Sequence, residues 1–184
     1  PSTFARICAA LETLDLTIHD ARIYSDTDGS TLDTFFVLQS DGASLDSHPD
    51  TFLEIEDRIR QHLNESELKP VSRHTPRTVK AFTIPTTVEF SQDETSQLTT
   101  LEVTTGDRPG LLARVGSVLS RHDVSVQGAK IQTLGERVED IFFLADAAGG
   151  QLQDDALLAS LENDLIEALG VGQREDSGVS ELSI

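Results

Sequence analysis

A single cysteine in 184 residues, Cys8, rules out an internal disulfide, and its place among apolar residues of a helical pattern marks it as a small core side chain in a reducing compartment. Basic residues are scarce: 14 Lys and Arg, only three of them Lys, stand against 32 acidic residues, giving a formal net charge of −18. Such a charge repels phosphate backbones and anionic lipid surfaces, so neither nucleic acid nor membrane is expected as a partner. No apolar run approaches the length of a membrane-spanning helix, and no signal peptide is evident. The expected location is the cytoplasm, where the triplet Asn64-Glu65-Ser66 has no consequence for glycosylation. The sequence also has no nucleophile elbow, P-loop or dinucleotide fingerprint. Its five histidines have no metal-ligand spacing with Cys8 or with acidic residues, and "DTDGS" at 26–30 lacks the third acidic position and the twelfth-position Glu of a calcium loop. No metal site and no catalytic residue are expected.

What is present is a repeat. Displacing the chain by 108 places matches Pro1 with Pro109, Ala5 with Ala113, Arg6 with Arg114, Leu11 with Leu119, Asp15 with Asp123, Ala21 with Ala129 and Ile23 with Ile131. These seven identities fall in about thirty positions, where ordinary composition supplies about two. After a one-residue shift in a hairpin turn, Asp33-Thr34-Phe35-Phe36 falls on Asp140-Ile141-Phe142-Phe143 and Gly42 on Gly149. The repeat decides for two small domains over one large one.

In the second copy, "LTTLEVTT" at 98–105 alternates as a half-buried strand does, and from Pro109 the residues Leu111, Leu112, Val115, Val118 and Leu119 recur at helical spacing. "VSVQGAKIQTL" and "VEDIFFLAD" read as paired strands with a turn at Gly135-Glu136, followed by a helix carrying Leu157, Leu158, Leu161, Leu165, Ile166 and Leu169. The first copy predicts a helix over Thr3–Leu14, strands near 16–25 and 31–39, and a helix near 50–63. It lacks its opening strand, and the start without Met and in mid-pattern suggests a stretch of something longer. The expected fold class is therefore α+β: two ferredoxin-like βαββαβ units with antiparallel sheets and helices on one face. Their expected bounds are 1–69 and 86–170, with a linker holding a strand-like stretch at 70–85 and a frayed tail at 171–184. "TTVEF" at 86–90 is expected to pair with 98–105 as a hairpin and fill the fourth-strand position of the second unit.

Two places suggest chemistry. At Asp107-Arg108-Pro109-Gly110-Leu111-Leu112, Pro suits the first helical turn and Asp is a good capping residue. Gly110, if inside the helix, costs about 1 kcal/mol relative to Ala. A bare backbone at the positive end of a helix dipole would admit a carboxylate, although a structural role explains it equally well. The second place is Gln127-Gly128-Ala129 in the following strand, matched by His19-Asp20-Ala21. Gly in a strand interior implies that something packs closely there, either a ligand or the neighbouring domain. Asp33 and Asp140 occupy equivalent strand positions, and Glu139, a neighbour of Asp140, faces the other way, so a general acid-base pair is not indicated.

A βαββαβ unit with Asp-x-Pro-Gly-Leu-Leu at its first strand-helix junction resembles an ACT domain, the amino-acid-sensing module of metabolic enzymes, and two in tandem cover essentially the whole chain. "DRPGLLARVGSVLSRHDVSVQGAKIQTLGERVEDIFFL", "LTIHDARIYSDTDGSTLDTFFVL" and "FTIPTTVEFS" resemble the C-terminal part of the bifunctional uridylyltransferase/uridylyl-removing enzyme family. The resemblance implies a glutamine-sensing region without catalytic residues or a cofactor of its own. It would be linked to catalytic domains that use Mg2+ and act on the PII signalling protein. It further implies ligand sites between the units, with Asp107, Arg108, Gly110, Leu111 and Leu112 facing His19, Asp20 and Ala21. Gln127, Gly128 and Ala129 would form the reciprocal half-site, whose own junction is reduced to Pro1. Asp107 or Asp20 would take the ligand's ammonium, and exposed sheet edges could favour a homodimer.

The rival readings are a stand-alone tandem ACT regulator or the sensor of another amino-acid enzyme, an acidic protein-interaction module, and an acylphosphatase-like enzyme. The last is suggested by "SVQGAKI", but its expected Phe-Arg is replaced by Ile131-Gln132.

Overall fold

A computed structural model describes residues 3–25, 30–45, 49–65, 84–92 and 96–170. Helix α1 (Thr3–Thr13) buries Phe4, Ile7, Cys8 and Leu11, the spacing that puts one stripe against a core. Strands β1 (Leu16–Ser25) and β2 (Thr31–Gln39) form an antiparallel hairpin, and α2 (Pro49–Asn64) closes the first unit. The second unit runs β3 (Thr87–Gln92), β4 (Thr99–Gly106), α3 (Leu111–Arg121), β5 (Ser125–Lys130), the two-residue β6 (Thr133–Leu134), β7 (Arg137–Ala145) and α4 (Asp155–Gly170).

The strand-like lead-in behaves as its sequence suggested. β3 pairs antiparallel with β4, from Thr87↔Thr104 to Gln92↔Thr99, and so lies beside the opening strand of the second unit, where a ferredoxin-like unit places its last strand. β4 pairs with β7 and β7 with β5, completing four main strands, of which β4 and β7 alternate buried and outward residues along most of their length. Most of the linker at 70–85 and all of the tail at 171–184 lie outside the described residues.

The units do not carry separate sheets. β1 pairs antiparallel with β5 at Asp20↔Lys130, Ala21↔Ala129 and Arg22↔Gly128, so one sheet of order β2-β1-β5-β7-β4-β3 spans both units. Two edges that a sequence reading leaves exposed thus cover each other within the chain. On the helical face α1 packs against both α2 and α3, and α3 against α4. Phe4 links the halves: its ring stacks near Phe35 of β2 at 6.1 Å and meets Phe142 of β7 edge-on at 6.4 Å. Gly116 of α3 lets α1 come this close, because a Cβ there would lie 2.9 Å from Phe4 Cδ1 and 3.0 Å from Ala5 Cβ.

The repeat extends to backbone detail. Asp15 and Asp123, matched positions just beyond α1 and α3, both adopt left-handed conformations (φ 63° and 55°), which Asp tolerates better than most residues. β1 shifts register between Ile18 and Asp20, and β5 between Val126 and Gly128, again at matched positions. Such bulges invert the alternation. Leu16 and Ile18 face the helices before the first bulge, and Ala21 and Ile23 after it.

Candidate functional site

The junction loop after β4 differs from its sequence reading. α3 begins at Leu111, not Pro109, and Asp107 makes no capping bond to it. The N-cap is Gly110, with φ +77°, a backbone conformation that penalises any Cβ. That requirement, rather than tolerance inside a helix, explains the glycine. No side chain of the second unit caps α3; the Gly110 N–H instead donates to Glu12 Oε1 of α1 at 2.5 Å, across 98 positions of sequence.

This loop forms one wall of a cavity of about 390 Å³ between the units. Asp107, Arg108, Leu111 and Leu112 face Cys8 and Glu12 of α1 and Leu16, Thr17 and Ile18 of β1, with Asp140 of β7 at the base. The volume falls in the range that takes small molecules. Two buried polar atoms in it lack partners, Arg108 Nη1 and Asp140 Oδ2. The Arg108 guanidinium is otherwise held only by long bonds, from Nε to the Gly106 carbonyl (3.3 Å) and from Nη2 to Thr105 Oγ1 (3.4 Å). Burial and the neighbouring Arg114 charge lower its pKa. Asp140 is 1% exposed and accepts one bond, from the Gln132 N–H to Oδ1 (3.2 Å). Burial pushes its carboxyl up to about 7, against that hydrogen bond and with a further upward push from Asp107. Burial likewise raises the Cys8 thiol, helped by Glu12 and Asp140, so it stays protonated and unreactive. Unpartnered buried groups are uncommon in folded proteins, and a guanidinium and a carboxylate left open in one cavity complement a zwitterion.

The sequence-derived residues divide between two places. Asp107, Arg108, Leu111 and Leu112 line this cavity, and Gly110 is fixed beside it. Opposite them stand Leu16–Ile18 and α1, not His19-Asp20-Ala21. The bulge after Ile18 turns Asp20 to the helix-free face, where it pairs with Arg22 at 3.5 Å. His19 is exposed, and its carbonyl accepts the Ile131 N–H at 3.1 Å. Asp20 and Ala21 join Gln127, Gly128 and Ala129 around a second depression of about 350 Å³ over the β1–β5 seam, lined by no residue of a helix. What packs closest to Gly128 is the neighbouring unit: a Cβ there would lie 3.2 Å from the Ala21 carbonyl, and 3.4 Å from the Phe143 ring of its own unit.

Sequence reasoning missed Glu12 and Asp140 as site residues. Asp140 was detectable, because it shares the inward phase of Val138, Phe142 and Leu144. Nothing local marks Glu12. Among the described residues no group of three or more His, Cys, Asp and Glu could hold a metal ion, and no helix is long and apolar enough to cross a membrane.

Comparison with known proteins agrees with this architecture. Residues 99–164 match the ACT domain family, and residues 1–55 match the ACT-like domain of plant bHLH transcription factors. The chain is 41% identical over 182 residues to bifunctional uridylyltransferase/uridylyl-removing enzymes of Pseudomonas putida (strain W619) and Pseudomonas entomophila (strain L48). It is 42% identical over 176 residues to the enzyme of the same description from Pseudomonas aeruginosa (strain LESB58). These alignments cover 98%, 98% and 95% of this chain and 20% of each relative, so the chain spans about a fifth of the length of the curated relatives it matches. No solved structure gives a significant match.

Proposed function

We propose that this ACT region, similar along nearly all its length to bifunctional uridylyltransferase/uridylyl-removing enzymes, is the amino-acid-sensing part of such an enzyme, with glutamine as its effector. The observation that carries the reading is the cavity between the units, with an unpartnered guanidinium donor and an unpartnered carboxylate acceptor in one small volume. The α-carboxylate takes Arg108 Nη1 and the α-ammonium takes Asp140 Oδ2, aided by Asp107 at the rim. Leu111, Leu112 and Ile18 pack against the aliphatic stem. His19, Asp20, Ala21, Gln127, Gly128 and Ala129 serve the seam between the units rather than the ligand.

Because walls from both units complete the cavity, ligand binding favours one arrangement of the pair over another. That preference shifts the balance between adding and removing UMP on the PII protein in the catalytic domains of the whole enzyme. The chain itself performs no chemistry, and the Mg2+ of the reaction belongs to those domains.

Calorimetry of this chain with glutamine tests the reading directly. Saturable binding is expected, with the site between the units at Arg108 and Asp140. Absence of glutamine binding, with saturable binding of another amino acid, would leave the sensing role standing and replace the effector.

A further inference from the structure

We infer that binding of an amino acid in this cavity expels a proton from Asp140, so that the effector is held more weakly as the medium turns acidic. The inference rests on the reading of the cavity as an amino-acid site and names a regulation of that site. Asp140 is buried on the inward phase of β7, its Oδ1 accepts the Gln132 N–H, and its Oδ2 has no partner. Among the described residues the one cation lining the cavity is Arg108, and it bonds the Gly106 carbonyl and Thr105 Oγ1 rather than Asp140. The other titratable groups on the walls are Cys8 and Glu12 of α1 and Asp107 before α3. Burial keeps the Cys8 thiol protonated, and Asp107 pushes Asp140 towards its neutral form. On the strands, Glu102 of β4 and Arg137 and Glu139 of β7 share a third depression of about 270 Å³ with Asp140, and there Arg137 pairs with Glu139 at 2.7 Å. Lys130 of β5 is exposed, with its ammonium over the Phe143 ring. No cation is paired with the Asp140 carboxyl.

A carboxyl buried with one donor and no paired cation holds its proton tightly, and burial pushes Asp140 up to about 7. An arriving amino acid reverses that balance. Its α-carboxylate goes to the open Nη1 of Arg108, and its α-ammonium is set against the open Oδ2 of Asp140. The ammonium has donors only, and a positive charge at hydrogen-bond distance favours the ionised form of a carboxyl. The Asp140 O–H bond then breaks, its proton passes to the solvent, and the ammonium keeps all three of its own. What forms in its place is a charged hydrogen bond from the ammonium to Oδ2. Below the pH at which free Asp140 titrates, each molecule bound must ionise one carboxyl, so the apparent affinity follows the ionised fraction. Above that pH the carboxylate is already present and the affinity levels off.

The test is calorimetry of this chain with glutamine from roughly pH 6 to pH 8, with the acid end repeated in two buffers of different ionisation enthalpy to count protons. Affinity should rise about tenfold across that range, and about one proton should leave per molecule bound at its acid end. Asp140→Asn, which keeps an acceptor for the ammonium but cannot ionise, should bind more weakly, with a flat pH profile and no proton release. Carbon NMR of the Asp140 carboxyl in the unaltered chain needs no variant: its titration midpoint should move to lower pH when glutamine is saturating. Equal affinity across the range without proton release, a midpoint that glutamine does not move, or proton release that persists in Asp140→Asn overturns the inference and leaves the sensing reading standing. If the chain binds glutamine at no pH, the glutamine reading falls and this inference falls with it.

Discussion

The two units share one plan, yet the second is a filled structure and the first a half-covered one. In the second, α4 sets Leu161, Leu165 and Leu169 fully out of solvent over a sheet to which the unit contributes four main strands. In the first, α2 lies over a unit that supplies two described strands; Ile55 and Ile59 are only partly covered, and Phe52 is 51% exposed. The same asymmetry governs the polar groups. Asp140 lines a cavity together with Arg108, whereas its match Asp33 has an unpartnered Oδ1 and a carboxyl raised by burial. A duplicated fold can thus keep its scaffold in both copies while the polar groups at its pseudo-equivalent places diverge.

The comparison breaks most severely at the α1–α3 contact. Gly116 and Cys8 are matched positions, but only glycine fits where Phe4 and Ala5 press against α3. Gly116→Val should cost about 3 kcal/mol and lower the melting temperature by roughly 10 °C, measured by calorimetry or circular dichroism. Cys8→Ala, at the matched site, should cost about 1 kcal/mol.

Next in size is a pH effect from Asp140. Its folded pKa of about 7 lies above the ordinary value of 3.8 for an aspartate, so between those values the folded chain holds a proton that the unfolded chain has released. Stability should therefore fall as pH rises from about 4 to 7, by on the order of 3 kcal/mol, and flatten above. Denaturant titrations across that range should show the slope fall far more in Asp140→Asn than in Asp33→Asn, whose carboxyl is also raised by burial.

The ligand side of the asymmetry is sharpened by Arg108→Ala, expected to weaken glutamine binding about thirtyfold, in keeping with the loss of a charged hydrogen bond. Arg22→Ala, on the helix-free face, should leave it unchanged. The smallest effect expected is that of Gly110→Ala, where left-handed strain costs about 1 kcal/mol and lowers the melting temperature by a few degrees.

Element order, the limits of β1 and β2 and the lead-in hairpin were legible in the sequence because each rests on local periodicity. Leu16 and Ile18 followed by Ala21 and Ile23 even record the bulge that inverts the strand. The start of α3 was misplaced because Pro109 is compatible with a first helical turn, and the decisive fact, the left-handed Gly110, is a property of the folded backbone. The fusion of two sheets at β1 and β5 and the reach of Glu12 to Gly110 were out of view for a different reason. Both join residues more than ninety positions apart, and hydrophobic patterning says which face of an element is buried, not which element buries it.

The seam between the units is narrow. Three residue pairs hold β1 to β5, against nine between β1 and β2 and eight between β4 and β7. Bending stiffness follows the width of the joint, so the sheet is least rigid along the line where the halves meet. Beneath that line Phe4 bears on Phe35 and Phe142, one from each half. On the proposed reading, a molecule gripped at once by the α3 loop and by α1 sits beside this narrow joint, where a small change in its fit would act on the angle between the halves.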